Sequence, residues 1–156
     1  MTPPPRPQPG FFAVGRTFGD AHGVLERVWA SASGREARTY RTDESGILLV
    51  IDGHPVERGP SIENVFFSPD GRRALHVRFD GPHQTELVEN EAVVCRGSYI
   101  RVWFSPDGAH WALRWCDPEQ LEIVQLDGVE VFRTPWDRYM GGSGWSPPWE
   151  ETPGDP

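Results

Sequence analysis

The feature that most constrains this chain is an internal repeat. Phe67-Ser-Pro-Asp-Gly71 recurs as Phe104-Ser-Pro-Asp-Gly108, an offset of 37 residues, and the same shift applied backwards reaches Gly34. The alignment places like residues in columns, among them Trp29, Phe66 and Trp103; Leu25, Ile62 and Tyr99; Val28, Val65 and Val102; and Ser31, Ser68 and Ser105. Repeats of this length are supersecondary units that bury their apolar residues by stacking on their neighbours.

Turn chemistry divides each unit into strands. In Ser-Pro-Asp-Gly, Pro presets φ, Asp bonds the local backbone and Gly closes the turn, while Asp52-Gly53 and Asp127-Gly128 between apolar runs indicate tight hairpins. We expect no helix, and a loop followed by a strand over Asp20–Ala32. The predicted strands are Ile62–Ser68, Arg72–Phe79, Gln84–Glu89 and Glu91–Val94 in the second unit, and Tyr99–Ser105, Ala109–Cys116, Leu121–Asp127 and Val129–Phe132 in the third.

The pattern of Phe-Ser-Pro-Asp-Gly, an apolar strand and then Val-x-Asp-Gly resembles the WD40-like repeats of TolB-type β-propellers over roughly residues 25–132. The resemblance implies an all-β fold of repeated four-stranded antiparallel meanders of blade type, with about three full units plus partial terminal strands. It implies little about function, because propellers serve many unrelated roles.

Three regions follow along the chain. Residues 1–10 are predicted to be a disordered Pro-rich N-terminus, 11–146 a single propeller-like domain, and 147–156 an acidic Pro-rich tail. Three units are too few for an ordinary ring. Strands near Phe11–Val14 could pair with strands near Trp136–Trp145 and close it, or an open arc could complete itself against another chain. We favour a homodimer or a partner complex.

The apolar faces of the second and third units have opposite parity. Leu75, Val77 and Phe79 share one face of their strand, whereas Trp111, Leu113 and Trp115 share a face that aligns with Ala74 in the repeat frame. This mismatch predicts that the third unit meets a different neighbour from the second.

Charge and composition limit the classes of binding partner and the cellular location that we expect for this protein. The formal net charge is −8, which disfavours nucleic acid and anionic membrane as partners. No apolar run approaches the roughly 18 residues of a transmembrane helix, and no signal-peptide stretch opens the chain, so we expect a cytoplasmic protein. The two cysteines, Cys95 and Cys116, are expected to be buried free thiols.

Residues with catalytic or ligand chemistry give no recognisable site. The histidines show no metal-ligand spacing, and no nucleophile elbow or phosphate loop is present, so we predict no metal, no cofactor and no enzymatic activity. Turn chemistry accounts for the carboxylates of Asp70 and Asp107. A hydrolase with an unidentified site remains an alternative.

Aromatic residues supply the candidate binding surface. They are Trp111, Trp115, Trp136, Tyr139, Trp145 and Trp149. Aromatics beside a Gly-rich loop can form a protein-binding hot spot or a sugar-stacking shelf, or they can close the core of the last unit. We predict a non-catalytic protein–protein interaction module, for example a complex-assembly protein or an immunity-type inhibitor of a basic protein. The alternative is a carbohydrate- or small-ligand-binding module that uses the C-terminal tryptophans.

Overall fold

A computed structural model of the protein describes residues 23–42, 46–79 and 84–150. These residues form antiparallel strands and no helix, which confirms the all-β prediction for this part of the chain. The strands are β1 (Val24–Ala30), β2 (Glu36–Arg41), β3 (Ile47–Ile51), β4 (His54–Gly59), β5 (Ile62–Phe67), β6 (Ala74–Phe79), β7 (Thr85–Glu89), β8 (Ala92–Phe104), β9 (Trp111–Cys116), β10 (Leu121–Leu126) and β11 (Val129–Pro135). The segment Phe11–Val14, which could have closed a ring, lies outside the described residues.

The strands form three four-stranded meanders. The first is β1-β2-β3-β4, the second β5-β6-β7 with the first half of β8, and the third the second half of β8 with β9-β10-β11. Because β8 runs through both, the last two meanders make one seven-stranded sheet. Gly97 lies where β8 passes from one meander to the next. A Cβ there would lie 2.0 Å from the carbonyl oxygen of Cys116, so only glycine fits this approach.

The turns between strands have the predicted chemistry. The buried Ser68 hydroxyl donates to Asp70 Oδ1 at 2.6 Å and accepts from the Arg73 amide at 2.9 Å. Ser105, Asp107 and His110 repeat this arrangement. The Ser hydroxyl holds the pKa of each Asp below its ordinary value, so these carboxylates serve the turn.

Apolar side chains pack between successive meanders. One cluster joins Ala37, Leu49 and Ile51 of the first meander to Ile62 and Val65 of the second. A larger cluster joins the second meander to the third, and its buried members are Leu75, Val77, Leu87, Cys95, Val102, Leu113, Trp115 and Ile123. The meanders therefore stack in chain order.

The stacking explains the opposite parity of the apolar faces. When one sheet lies on the next, the upper side of the first meets the lower side of the second. Leu75 and Val77 therefore meet Leu113 and Trp115 across the same interface. The two apolar faces bury each other. The third meander differs from the second on its other face, where no further meander follows among the described residues.

The described strands form an open row and not a ring. No strand pairing and no hydrophobic cluster among the described residues joins the first meander to the third. The outer face of the third meander therefore needs another cover, and the C-terminal residues provide it.

Charged residues bridge the first and second meanders beside their apolar cluster. Glu57 Oε1 accepts hydrogen bonds from Arg78 at 2.7 Å and lies 3.0 Å from His76 Nε2. Arg78 and Arg96 then both donate to Glu86, which is 1% exposed. Burial alone would raise the pKa of Glu86, but the hydrogen bonds from the two guanidinium groups outweigh it and hold the pKa below the ordinary value of 4.5.

We predict that Leu113→Ala destabilises the protein by about 3 kcal/mol, because it leaves a cavity between the second and third meanders. Leu113 is fully buried, whereas Val131 on β11 is 52% exposed. Val131→Ala is the matched control and should change the free energy of unfolding by less than about 0.5 kcal/mol. Urea denaturation measures both, and equal effects would contradict the assigned interface.

A second prediction concerns pH. Because the folded-state pKa of Glu86 is depressed, its stabilising contribution is present above its unfolded pKa and is lost as pH falls through the folded value. Glu86→Gln should therefore be clearly less stable than the wild type at about pH 7, and the difference should shrink below about pH 4. Urea unfolding across this range tests it, with the exposed turn variant Glu91→Gln as control. A difference that stays constant with pH would refute the role given to Glu86.

Candidate functional site

Residues 136–150, here called the C-terminal segment, cover the outer face of the third meander. Trp145 lies edge-on against Trp103, with ring centroids 5.8 Å apart and an interplanar angle of 76°. Its carbonyl oxygen accepts a hydrogen bond from Arg114 Nη1 at 3.2 Å, and Pro147 is buried. Packing therefore reaches Pro147, the residue at which the sequence predicted a tail to begin.

A buried carboxylate fixes the middle of the C-terminal segment. Glu122 on β10 is 0% exposed and accepts hydrogen bonds from both the amide (2.6 Å) and the hydroxyl of Ser143. Gly142, next to this contact, has φ of +100°, and a Cβ there would lie 2.7 Å from Glu122 Oε1 and 3.0 Å from the Trp136 ring. The close approach of the segment to β10 thus depends on glycine.

The C-terminal segment also reproduces a contact found at both interfaces between meanders. Each meander carries a basic side chain that pairs with a carboxylate near its third hairpin turn and stacks on an aromatic ring of the next layer. The sets are Arg35, Asp52 and Phe67; Arg73, Glu89 and Trp111; and His110, Asp127 and Trp149. In the last set, the hydrogen bond to Asp127 raises the pKa of His110. Trp149 therefore occupies the place that a fourth meander would otherwise fill.

Directly after β11, the last strand of the third meander, the chain presents an exposed aromatic surface. Tyr99 stacks on Trp136 with ring centroids 4.8 Å apart, and Tyr139 and Met140 follow at 94% and 76% exposure. Asp137 Oδ1 accepts the amides of Tyr139 and Met140, which fixes the turn. We call residues 136–140 the aromatic loop.

A cavity of about 300 Å³ separates the C-terminal segment from the third meander. We call it the arginine–tryptophan cavity, and its lining includes Arg101, Trp103, Arg114 and Trp145. The Cζ atoms of Arg101 and Arg114 lie 4.8 Å and 5.7 Å from the Trp103 ring centroid, within cation–π range.

The six aromatic residues predicted as a binding surface do not converge. Trp115 is 7% exposed within the core between the second and third meanders, and Trp111 packs against the same core beneath Arg73. Trp145 and Trp149 are half-buried in the C-terminal segment. Trp136 and Tyr139 alone remain together, in the aromatic loop. Burial removes Trp115 from any surface role, because its ring has no accessible face.

Cysteine and histidine residues show no arrangement for redox or metal chemistry in the described ranges. Cys95 and Cys116 are buried free thiols, and burial raises the pKa of Cys95 to about 12, which disfavours a reactive thiolate. No group of three or more His, Cys, Asp or Glu among the described residues could hold a metal ion. His22 and His83 lie outside these residues.

The arginines and Trp103 of the arginine–tryptophan cavity are not among the binding residues predicted from the sequence. Trp103 was placed only in an aromatic column of the repeat, and no role was predicted for Arg114. The repeat alignment held the signal, because Arg114 takes the position that Val77 has in the second meander. An arginine at a core position of a repeat is unusual, since burying its charge is costly.

No protein-family model and no curated protein matches this chain. The resemblance to WD40-like propeller repeats therefore remains a prediction from the motifs. No described segment forms a helix of the length and hydropathy needed to cross a membrane.

We predict that Gly142→Ala loosens the C-terminal segment. The added methyl group meets Glu122 and Trp136, and the positive φ adds strain. Gly144→Ala is the matched control, because Gly144 also has positive φ (+77°) but nothing within 4 Å of its Cβ position. Hydrogen exchange of the Ser143 amide should accelerate at least tenfold in Gly142→Ala relative to the control. Equal exchange in both variants would show that this contact does not hold the segment.

Proposed function

We propose that this protein is a non-catalytic interaction module that binds another protein through its aromatic loop. The observation that carries the proposal is the exposure of Tyr139 and Met140 at 94% and 76% beside the stacked pair of Tyr99 and Trp136. Tyr and Trp are enriched among the residues that dominate binding energy at protein interfaces, and Met adapts its shape to a partner.

The geometry of the loop favours binding. The hydrogen bonds from Asp137 to two consecutive amides, and that from the Gly142 amide to the Asp137 carbonyl oxygen at 3.0 Å, hold the turn in one conformation. A surface that is already ordered loses little conformational entropy when a partner docks. Tyr139 has no packing role inside the described fold, because almost all of its surface is exposed to solvent.

The charge of the chain indicates the chemistry of the partner. A formal net charge of −8 accelerates encounter with a basic protein and slows encounter with an acidic one. We propose a basic protein partner, with the aromatic loop as the apolar contact and long-range attraction as the source of the association rate. Inhibition of a basic enzyme or toxin is one form that this interaction could take.

The experiment places a photo-crosslinking amino acid, p-benzoylphenylalanine, at Tyr139 and, in a control variant, at Val56. Val56 is also an exposed apolar residue, at 39%, but lies on β4 of the first meander. We expect illumination in the native cells to give a discrete adduct with a basic protein from position 139 and none from 56. An adduct with the mass of two copies of this chain, or equal patterns at both positions, would overturn the proposal.

The captured partner then allows a quantitative test. The double variant Tyr139→Ser/Met140→Ser should weaken binding at least tenfold, which corresponds to about 1.4 kcal/mol, without changing the melting temperature. The association rate should fall as salt is raised, because salt screens the attraction between opposite charges. Unchanged affinity in the double variant would place the interface elsewhere.

A further inference from the structure

The repeat provides an internal control for the arginine–tryptophan cavity. Arg27 and Trp29 in the first meander occupy the positions of Arg101 and Trp103 in the third. The Arg27 Cζ lies 4.4 Å from the Trp29 ring centroid, and its Nη1 donates to the Glu63 carbonyl oxygen at 2.7 Å. The next meander thus covers this pair and supplies an acceptor for the guanidinium group.

The corresponding arginine in the third meander has no such acceptor. The Arg101 guanidinium group stacks on Trp103 and makes no hydrogen bond or ion pair with the described residues. Arg114 approaches the same ring, donates from Nη1 to the Trp145 carbonyl oxygen, and has a buried Nε with no hydrogen-bond partner. Neither guanidinium group pairs with a carboxylate of the described residues.

The buried Arg114 Nε, which has no acceptor among the described residues, carries an electrostatic cost, whereas solvent reaches the exposed Arg101. A buried N–H without an acceptor costs about 1–3 kcal/mol, and a charged donor costs more. Elsewhere in this fold, Arg78 meets the same problem by pairing with both Glu57 and Glu86. An anion in the cavity would lie beside both Arg101 and Arg114.

The shape and lining of the cavity define that anion. Its volume of about 300 Å³ suits a small molecule, and glycines at 141 and 144 leave the space open. Guanidinium groups bind carboxylates through paired hydrogen bonds, and the half-buried Trp145 indole offers an apolar wall for a ring. Glu150 also lines the cavity but is exposed, so solvent screens its repulsion of an anion.

We propose that the arginine–tryptophan cavity binds a small aromatic carboxylate, with the carboxylate held by Arg101 and Arg114 and the ring against Trp145. This site is independent of the aromatic loop. A ligand here would tie the C-terminal segment to the third meander, because Arg101 and Arg114 belong to the meander and Trp145 to the segment.

The test is a calorimetric titration of the full chain with benzoate, compared with benzamide, its neutral analogue, and with acetate, which lacks the ring. We expect saturable binding of benzoate at least tenfold tighter than that of either comparator. Absence of saturable benzoate binding would overturn the proposal. Equal affinity for benzamide would overturn the role of the charge, and equal affinity for acetate that of the ring.

Variants then assign the residues. Arg101→Gln and Arg114→Gln should each weaken benzoate binding at least tenfold, whereas Arg27→Gln, the repeat equivalent, should leave it within twofold. Arg101 is exposed, so its variant keeps the test valid if Arg114→Gln does not fold. Similar losses in Arg101→Gln and Arg27→Gln would refute the assignment. The Tyr139→Ser/Met140→Ser variant should bind benzoate normally, which separates failure of this site from failure of the proposed interface.

Discussion

Each meander in this fold has two faces, and the structure depends on a neighbour covering each apolar one. The second meander satisfies this requirement on both sides, with Ile62 and Val65 facing the first meander and Leu75 and Val77 facing the third. Sheets packed in this way exclude water from both sides of their central strands, which is the main source of their stability. The third meander has no further meander after it among the described residues, and residues 136–150 cover its outer face.

The C-terminal segment covers the outer face of the third meander. It repeats side-chain contacts that occur between meanders, but it does not form a β-strand. Trp149 stacks on His110 as Trp111 stacks under Arg73, although the segment forms no strand. Its backbone instead bonds to side chains of the meander, chiefly Glu122 and Arg114. An irregular segment fills space less completely than a sheet, which accounts for a cavity at this interface. The same ending leaves the aromatic loop outside the core.

The sequence predicted the meanders well because their turns are determined locally. Asp52, Asn90 and Asp127 all have positive φ in the hairpins, as turns of this type require. Two features could not be predicted from local sequence patterns, because they depend on contacts between distant parts of the chain. The single long β8 depends on contacts of Gly97 with Cys116 in another strand. The separation of Trp115 from Tyr139 depends on which sheet covers which face. Of the six predicted binding residues, only Trp136 and Tyr139 lie together, in the aromatic loop.

Charged side chains are paired differently at the interface between the first two meanders and on the outer face of the third. Between the first and second meanders, every charged side chain of the Glu57, Arg78, Glu86 and Arg96 network has an opposite partner, so the network fixes the packing without needing a ligand. On the outer face of the third meander, Arg114 stands where Val77 lies in the second, and it forms no ion pair with a described carboxylate, although Glu150 lines the same cavity. A valine at this position would pack under the C-terminal segment at a lower free-energy cost than a buried arginine. An anion in the arginine–tryptophan cavity, as proposed above, would place a negative charge beside Arg114.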